Sequence, residues 1–440
     1  MAARTLRLLW VTPFSKRSAI GTFSRLVTDE LARRGILDVT IGSCEAAPIA
    51  ADAAHPTRLP LILDAAEVAE RLHEFDLVLY NIGNNYPFHG ALADLLPKRS
   101  GIFVIHDLYL YDLFYGILQA QGGLADHDRI VTSTYGREIE FASPETTYGD
   151  ILSQRIAEHP MTEWFAAKAL ACIVHGAFAV PVLEAATAGP VVQTPLVFHD
   201  PARSHATAHR ARGPGERIRV TTFGDVNPNK RIDVVIQTIG SSTVLRDAIH
   251  YVVVGNATDL DRTHLLDLAT SLGVSFEMTG HVGDEEWAAQ LEQADIAAAL
   301  RFPTTETGSA SVAGSILAGL PVLVTDTGCY RDLPDDIVFK IDPQREIETL
   351  RAQLERLVSE PELQRRLEPR AAWAREEFGA SRYAARVEEL AHRCVDFAPA
   401  VEVGFRLADA AVLLGLGRDD PALASWIGTA GSLFVRPTEG

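Results

Sequence analysis

Cysteine is scarce in this chain. Cys44, Cys172, Cys329 and Cys394 are the four among 440 residues, and none stands in a C-x-x-C pair or beside a histidine cluster. That excludes the disulfide frameworks of small secreted folds and the usual structural zinc spacings, and it points to a reducing compartment. Long apolar runs are missing as well: no window approaches the roughly 18 consecutive apolar residues of a membrane-spanning helix. The opening "MAARTLRLLWVTPFSKRS" has an apolar stretch too short for a signal sequence, and charge follows at once. The expectation is a soluble, cytoplasmic protein. Net positive charge is also lacking. Forty Lys and Arg face 58 Asp and Glu, for a net charge of -18, which makes nucleic acid a poor partner overall. The exception is residues 1–40, where Arg4, Arg7, Lys16, Arg17, Arg25, Arg33 and Arg34 outnumber the acids. This patch reads either as a solvated helix face or as attraction to an anionic substrate or to the inner face of a membrane.

What is present is an alternation. Apolar strand-like runs ("LRLLWVTP", "LDVTIGS", "FDLVLYNIG", "GIFVIHD", "ACIVHG") are separated by amphipathic helical patterns. The second half repeats the arrangement with "RIRVTTFGD", "IHYVVVGN", "SFEMTGHV", "DIAAALRF" and "PVLVTD". Continuous rather than alternating apolarity predicts parallel sheets buried on both faces, built from βαβ units. Residues 199–217, rich in Arg, Ala, Gly and Pro, read as a linker. The fold class is therefore α/β, with two Rossmann-like domains over 1–200 and 217–378 facing across a cleft. C-terminal helices over 379–440 follow, expected in "ASRYAARVEELAHRC", "VEVGFRLADAAVLLGLG" and "PALASWIGTAGSLF". A polar insertion at about 115–165 follows the "VIHD" strand, where such sheets bind ligands.

Polar and glycine residues gather at the strand ends. Gly21 precedes an amphipathic pattern, and His106 and Asp107 end a strand. Gly224, Asn227, Lys230 and Arg231 follow another; two cations at a helix start oppose its dipole unless an anion sits there. Gly255 and Asn256, then Gly280 and His281, end two more strands. The stretch "ETGSASVAGSILAGLPVLVTD" places Glu306 ahead of Thr307, Gly308, Ser309, Ala310 and Ser311. Small residues at a helix start leave backbone N–H groups open to a phosphate or sugar oxygen, and Glu306 can accept from sugar hydroxyls. The "DLD" at 259–261 reads as helix capping rather than as a metal motif.

Taken in order, "LLWVTPFSKRSAIGTFSRLVTDELARRG", "NIGNNYPFHGAL", "VIHDLYL", "IVHG", "FGDVNPNKR", "VVVGN", "TGHVGDEEW" and "ETGSASVAGSILAGLPVLVTDTGCYRDLP" resemble the GT-B glycosyltransferases of the retaining family 4 type. The resemblance covers residues 5–200 and 217–395. It implies a nucleoside diphosphate sugar as donor, a saccharide or lipid-linked glycan as acceptor, and neither cofactor nor metal. It would make His106, Lys230 and Glu306 catalytic: His106 near the sugar, Lys230 with Arg231 on the leaving diphosphate, Glu306 facing the donor sugar. Gly21 would approach the donor phosphate, and the backbone around His281 the base. The chain departs from the family twice. Gly314 stands where a second Glu holds the ribose, and Asp225 where an Arg often follows the glycine. Other readings stay open at this point: another GT-B reaction such as nucleotide-sugar epimerisation, a catalytically impaired relative, or a two-lobed small-ligand binding protein.

Overall fold

The computed structural model describes residues 5–136, 148–198, 213, 215–365, 367–416, 420–422 and 425–426. The first half holds β1 (Leu6–Thr12), β2 (Leu37–Ser43), β3 (Leu61–Ile62), β4 (Leu77–Ile82), β5 (Gly101–Ile105), β6 (Ala169–Val174) and β7 (Val191–Gln193). They form one parallel sheet in the order β3-β2-β1-β4-β5-β6-β7. The second half holds β8 (Ile218–Phe223), β9 (Ile249–Val254), β10 (Ser275–Gly280), β11 (Ile296–Ala299), β12 (Val322–Thr325) and β13 (Phe339–Ile341), in the order β10-β9-β8-β11-β12-β13. The α/β class and the two parallel sheets match the sequence reading. Three short strands, β3, β7 and β13, were not expected; with two or three residues each they are too short to show a pattern.

The continuous apolar runs have a simple cause. Leu9 and Val11 pack into the core on one face of the first sheet, and Leu8 and Trp10 into the core on the other. A strand covered by helices on both sides needs apolar residues at every position. Strand order reverses between β1 and β4, and again between β8 and β11. At such a switch point the loops leaving the carboxyl ends diverge and open a crevice. Each half therefore presents one crevice, and the loops carrying the candidate residues leave from there.

The long helix Ala380–Leu413 leaves the second half and returns to the first. Its Tyr383, Val387, Leu390 and Cys394 are buried in the core that also holds Leu8 and Trp10. Glu388 accepts from Arg34 on the helix Ala19–Arg34, with Nη2 to Oε2 at 2.7 Å. Two of the expected C-terminal helices are thus one helix, which runs through Pro399. Proline removes a single N–H, while the buried face continues past it, from Ala398 to the partly buried Val401. The third expected helix, over "PALASWIGTAGSLF", lies largely outside the described residues, as does most of the 199–217 linker. The 115–165 insertion is helical in its described parts, with helices Tyr111–Ala120, His127–Tyr135, Tyr148–Glu158 and Thr162–Ala166.

Two loops stitch the halves together. Leu108 N–H donates to the Thr305 carbonyl at 2.7 Å, and Thr307 N–H to the His106 carbonyl at 2.8 Å. The buried Thr307 hydroxyl donates to the Ile105 carbonyl at 2.7 Å. Nearby, the Thr304 hydroxyl is buried and has no hydrogen-bond partner among the described residues. Thr307→Val should therefore destabilise the protein by about 1–3 kcal/mol, the cost of leaving buried carbonyls without their donor, whereas Thr304→Val should cost nothing or stabilise. Urea midpoints of the two variants test this; equal shifts would mean that the Thr307 hydroxyl does not hold the halves.

Candidate functional site

The crevices face one another across a cavity of about 510 Å³. From the first half it is lined by the β1–helix loop (Lys16 to Ile20), Phe23, His106 and Asp107. From the second it is lined by Phe223, Gly224, Lys230, Trp287, Arg301, Glu306 and the turn Gly308–Ser311. Lys16, Arg17, Lys230 and Arg301 bring four cations to one space in a chain of net charge -18.

Glu306 is held before any ligand arrives. Its Oε1 accepts from Arg301 Nε at 3.0 Å and from the Tyr330 hydroxyl at 2.7 Å. Burial alone would raise its pKa, but the Arg301 charge, these two hydrogen bonds and the nearby Lys230 outweigh it, so the carboxyl is held below its ordinary value. Oε2 has no partner among the described residues. One oxygen is anchored and the other is left as an acceptor.

Lys230 is 5% exposed. It ends the short 3-10 turn Pro228–Lys230, and its Nζ donates to the Phe223 carbonyl at 3.2 Å. Burial and the Arg301 charge push its pKa down to about 7, against the pull of Glu306 and Asp225. The sequence suggested a base at a helix start. The structure corrects that, because Arg231 adopts a left-handed conformation (φ 57°) and starts the helix one residue later. Arg231 itself turns away and pairs with Glu346, Nη2 to Oε2 at 2.7 Å. It does not face the cavity with Lys230.

His106 and Asp107 follow β5. The imidazole Nε2 lies 3.1 Å from Asn81 Oδ1, and burial with the neighbouring His175 and His89 holds the ring neutral, well below the ordinary histidine range. Asp107 accepts from Asn84 N–H at 2.8 Å. Burial, opposed by that hydrogen bond and reinforced by Glu306 and Asp112, pushes its pKa up to about 7.

The cavity thus brings together His106, Asp107, Gly224, Lys230, Glu306, Gly308, Ser309, Ala310 and Ser311. Ala313 N–H makes the first bond of the helix Ala310–Leu317, to the Ser309 carbonyl, and Ser309 gives no side-chain cap. The N–H groups of Ala310, Ser311 and Val312 precede that bond. Other expected residues do not line the cavity. Gly21 lies in the first turn of its helix, its N–H taken by Ser18 Oγ at 3.1 Å, and a side chain there would meet the Pro13 carbonyl. Gly255 packs on backbone rather than on ligand: a Cβ would lie 2.4 Å from the Gly224 carbonyl. Asn256 N–H donates to Asp225 Oδ1 at 2.9 Å, which gives Asp225 a structural task. Gly280 bridges to Gly255, His281 is exposed, Asn227 precedes the 3-10 turn, and Thr307 joins the halves.

The basic patch of residues 1–40 is mostly spoken for. Arg7 pairs with Asp76, Arg25 with Asp29, Arg33 with Glu30 and Arg34 with Glu388. Arg4 lies outside the described residues; Lys16, whose Nζ donates to the Asp52 carbonyl at 2.8 Å, and Arg17 both line the cavity. Among the described residues no helix is long and apolar enough to cross a membrane, and no three His, Cys, Asp or Glu side chains converge to hold a metal ion. Sequence reasoning missed Arg301, Tyr330, Trp287 and His175. Arg301 had a signal, a charge ending the otherwise apolar "DIAAALRF"; Tyr330 and Trp287 had none.

Residues 207–372 match the model of the family described as Glycosyl transferases group 1. The chain carries a group 1 glycosyltransferase domain. No curated protein matches the chain in sequence. Solved structures do match it in shape. Sucrose-phosphate synthase from Thermosynechococcus elongatus is 14% identical, with a TM-score of 0.59 over 89% of this chain and 99% of that one. HepE of Anabaena, in complex with UDP and glucose, is 14% identical, with a TM-score of 0.56 over 88% and 99%. WaaG, a glycosyltransferase involved in lipopolysaccharide biosynthesis, is 15% identical, with a TM-score of 0.51 over 89% and 99%. At such identities the likeness is one of fold, and the fold is GT-B.

Gly314 now has a physical reason. A Cβ there would lie 2.6 Å from Trp287 Cη2 and 2.8 Å from Phe198 Cε1. The missing side chain makes room for two aromatic rings, whose centroids are 5.9 Å apart and which line the cavity. Gly314→Ala should gain about 1 kcal/mol in helix propensity but lose about 1–3 kcal/mol to overpacking. The expected outcome is a less stable protein with altered tryptophan fluorescence, and a smaller loss from the same change in a Trp287→Ala background, where Phe198 Cε1 still lies 2.8 Å from the added Cβ. A stabilised single variant would show that the rings yield freely.

Proposed function

We propose that the cavity binds a nucleoside diphosphate sugar and that the glycosyltransferase moves its sugar to a hydroxyl of a saccharide or lipid-linked glycan. The anomeric configuration is retained, and side chains rather than a metal ion meet the leaving-group charge. The observation that carries this reading is the convergence of Lys230 and Arg301 with the open helix start at Ser309–Ser311 on one cavity. As the glycosidic bond breaks, charge grows on the diphosphate. Fixed cations and backbone dipoles in a site shielded from water stabilise that charge more than they stabilise the ground state. Arg301 stays charged whether or not ligand is present, because Glu306 pairs with it. The free Oε2 of Glu306 is suited to a sugar hydroxyl. Lys16 and Arg17, on the first half, are suited to an acceptor or donor with negative charge, and would equally assist contact with an anionic lipid surface.

Release of nucleoside diphosphate from a panel of nucleotide sugars, with and without glycan acceptors, is the direct test. Binding or turnover of at least one donor is expected; none with any donor would sink the reading. Lys230→Met should lower turnover by roughly ten- to a thousand-fold, the usual effect of removing one oxyanion contact. Its thermal midpoint should hold or rise near neutral pH, because a buried ammonium disfavours folding there. Lys230 also predicts a pH dependence. In the free protein it titrates at about 7, and a bound diphosphate raises that value. Below pH about 7 the lysine is already charged and binding takes up no proton; above it, binding must recruit one. Affinity for a nucleoside diphosphate should therefore fall as pH rises from about 7 to 9, with proton uptake visible by calorimetry in buffers of different ionisation enthalpy. Flat affinity over that range would remove Lys230 from the binding site.

A further inference from the structure

Helix Asp284–Gln293 meets the cavity with its first turn. Val282, Asp284 and Trp287 line the cavity, while Glu285 and Glu286 are exposed and do not. Residues three apart share one face of a helix, so the turn that brings Asp284 to the cavity brings Trp287 with it. The indole is partly buried against the core of the second half. Two rings flank it. The Phe198 centroid lies 5.9 Å away at 58°, and the Phe223 centroid 5.6 Å away at 60°. Both are tilted, so neither lies flat over the indole. Phe223 ends β8, and its carbonyl accepts from the Lys230 ammonium at 3.2 Å. The aromatic wall therefore begins at the residue that holds the recruitable cation. A ligand that satisfies both carries an anion with a flat apolar group beside it.

Gly314 makes the wall and a carboxylate mutually exclusive. The helix Ala310–Leu317 begins at the open N–H groups and then turns Gly314 toward the indole. A Cβ there would lie 2.6 Å from Trp287 Cη2 and 3.2 Å from Cζ2. Any side chain at 314, an acid included, needs the place the indole occupies. Glycine inside a helix is unfavourable, and a smaller apolar residue at 287 would not require it. Two carboxylates remain among the cavity residues of the second half. Glu306 is anchored to Arg301 and Tyr330, and Asp284 is exposed.

We propose that Trp287, flanked by Phe198 and Phe223, is a nucleoside-binding residue: the nucleoside end of the donor packs against this wall, and ring contact supplies what a ribose-binding carboxylate would supply by hydrogen bonds. The inference rests on the proposed function for the diphosphate that brings the nucleoside there. Every base has a π face, so contact of this kind tolerates a change of base. It also does not register the ribose hydroxyls. The wall therefore gives affinity with modest selectivity among bases and little between ribose and its deoxy forms.

Calorimetry on the full chain tests this with nucleoside diphosphates of several bases, a 2′,3′-dideoxy analogue, and inorganic pyrophosphate, which keeps the anion and lacks the nucleoside. Trp287→Leu should weaken the tightest-binding nucleoside diphosphate about five- to a hundredfold, the range for one base–aromatic contact, and pyrophosphate by no more than about twofold. Trp287→Phe keeps a ring and should retain most of the affinity. It should also lose the fluorescence change that nucleotide, but not pyrophosphate, produces in the parent protein, since Trp287 is the tryptophan among the cavity residues. Removing the ribose hydroxyls should cost less than about tenfold, the ceiling for a neutral hydrogen bond. Parent-like affinity in Trp287→Leu, or equal losses for nucleotide and pyrophosphate, overturns the proposal. So does a dideoxy loss above that ceiling, because a carboxylate then reads the ribose. If pyrophosphate binds and no nucleoside diphosphate binds more tightly, this inference fails and the diphosphate site stands. If neither binds, the proposed function itself fails.

Discussion

Hydrogen bonds between the loops 105–108 and 305–307 set the geometry on which the rest of the site depends. A cleft between two separately folded sheets has no fixed width of its own. Here Leu108 and Thr305, and Thr307 and His106, join backbone to backbone across it, and the Thr307 hydroxyl joins the Ile105 carbonyl. The same short segments carry candidate site residues. His106 and Asp107 stand on one side, Glu306 on the other, and Asp107 pairs with Glu306 as an isolated antiparallel bridge. Positioning and joining are done by the same residues, so the carboxylate of one half is registered to the imidazole of the other within a single turn of chain. The C-terminal helix adds a second tie, anchoring the far side through Glu388 and Arg34.

The cavity also illustrates how buried charge is tolerated. An isolated cation in such a place would be deprotonated or expelled. Arg301 keeps its charge because Glu306 lies 3.0 Å away, and Glu306 keeps its own because Arg301 and Tyr330 hold one oxygen. Among the described residues Lys230 has only a carbonyl as hydrogen-bond partner, and its pKa falls to about 7. The result is one permanent cation and one that an incoming anion can recruit. That asymmetry follows from burial and from which carboxylate each cation can reach.

Gly314 shows how a local oddity is resolved at a distance. Inside a helix glycine is unfavourable, and the only evident compensation is space for Trp287 and Phe198, which come from a different helix and from the segment following β7. The aromatic wall they form with Phe223 gives the cavity an apolar side.

Apolar runs of five to seven residues separated by amphipathic stretches were enough to determine two parallel sheets, because strands buried on both faces need apolar residues throughout. The placement of the cavity-lining loops followed from the same logic, and with it His106, Lys230, Glu306 and the small residues at 308–311. Contacts between remote segments were not legible. That Arg231 leaves for Glu346 depends on a left-handed backbone at one residue. That Lys230 is buried, that Tyr330 reaches Glu306, that His175 stands beside His106, and that Trp287 needs Gly314 all depend on how the loops of two sheets meet. Periodicity reports which face of an element is buried; it carries no information about which distant side chain will lie against it, and those distances set the charges and the hydrogen bonds of the site.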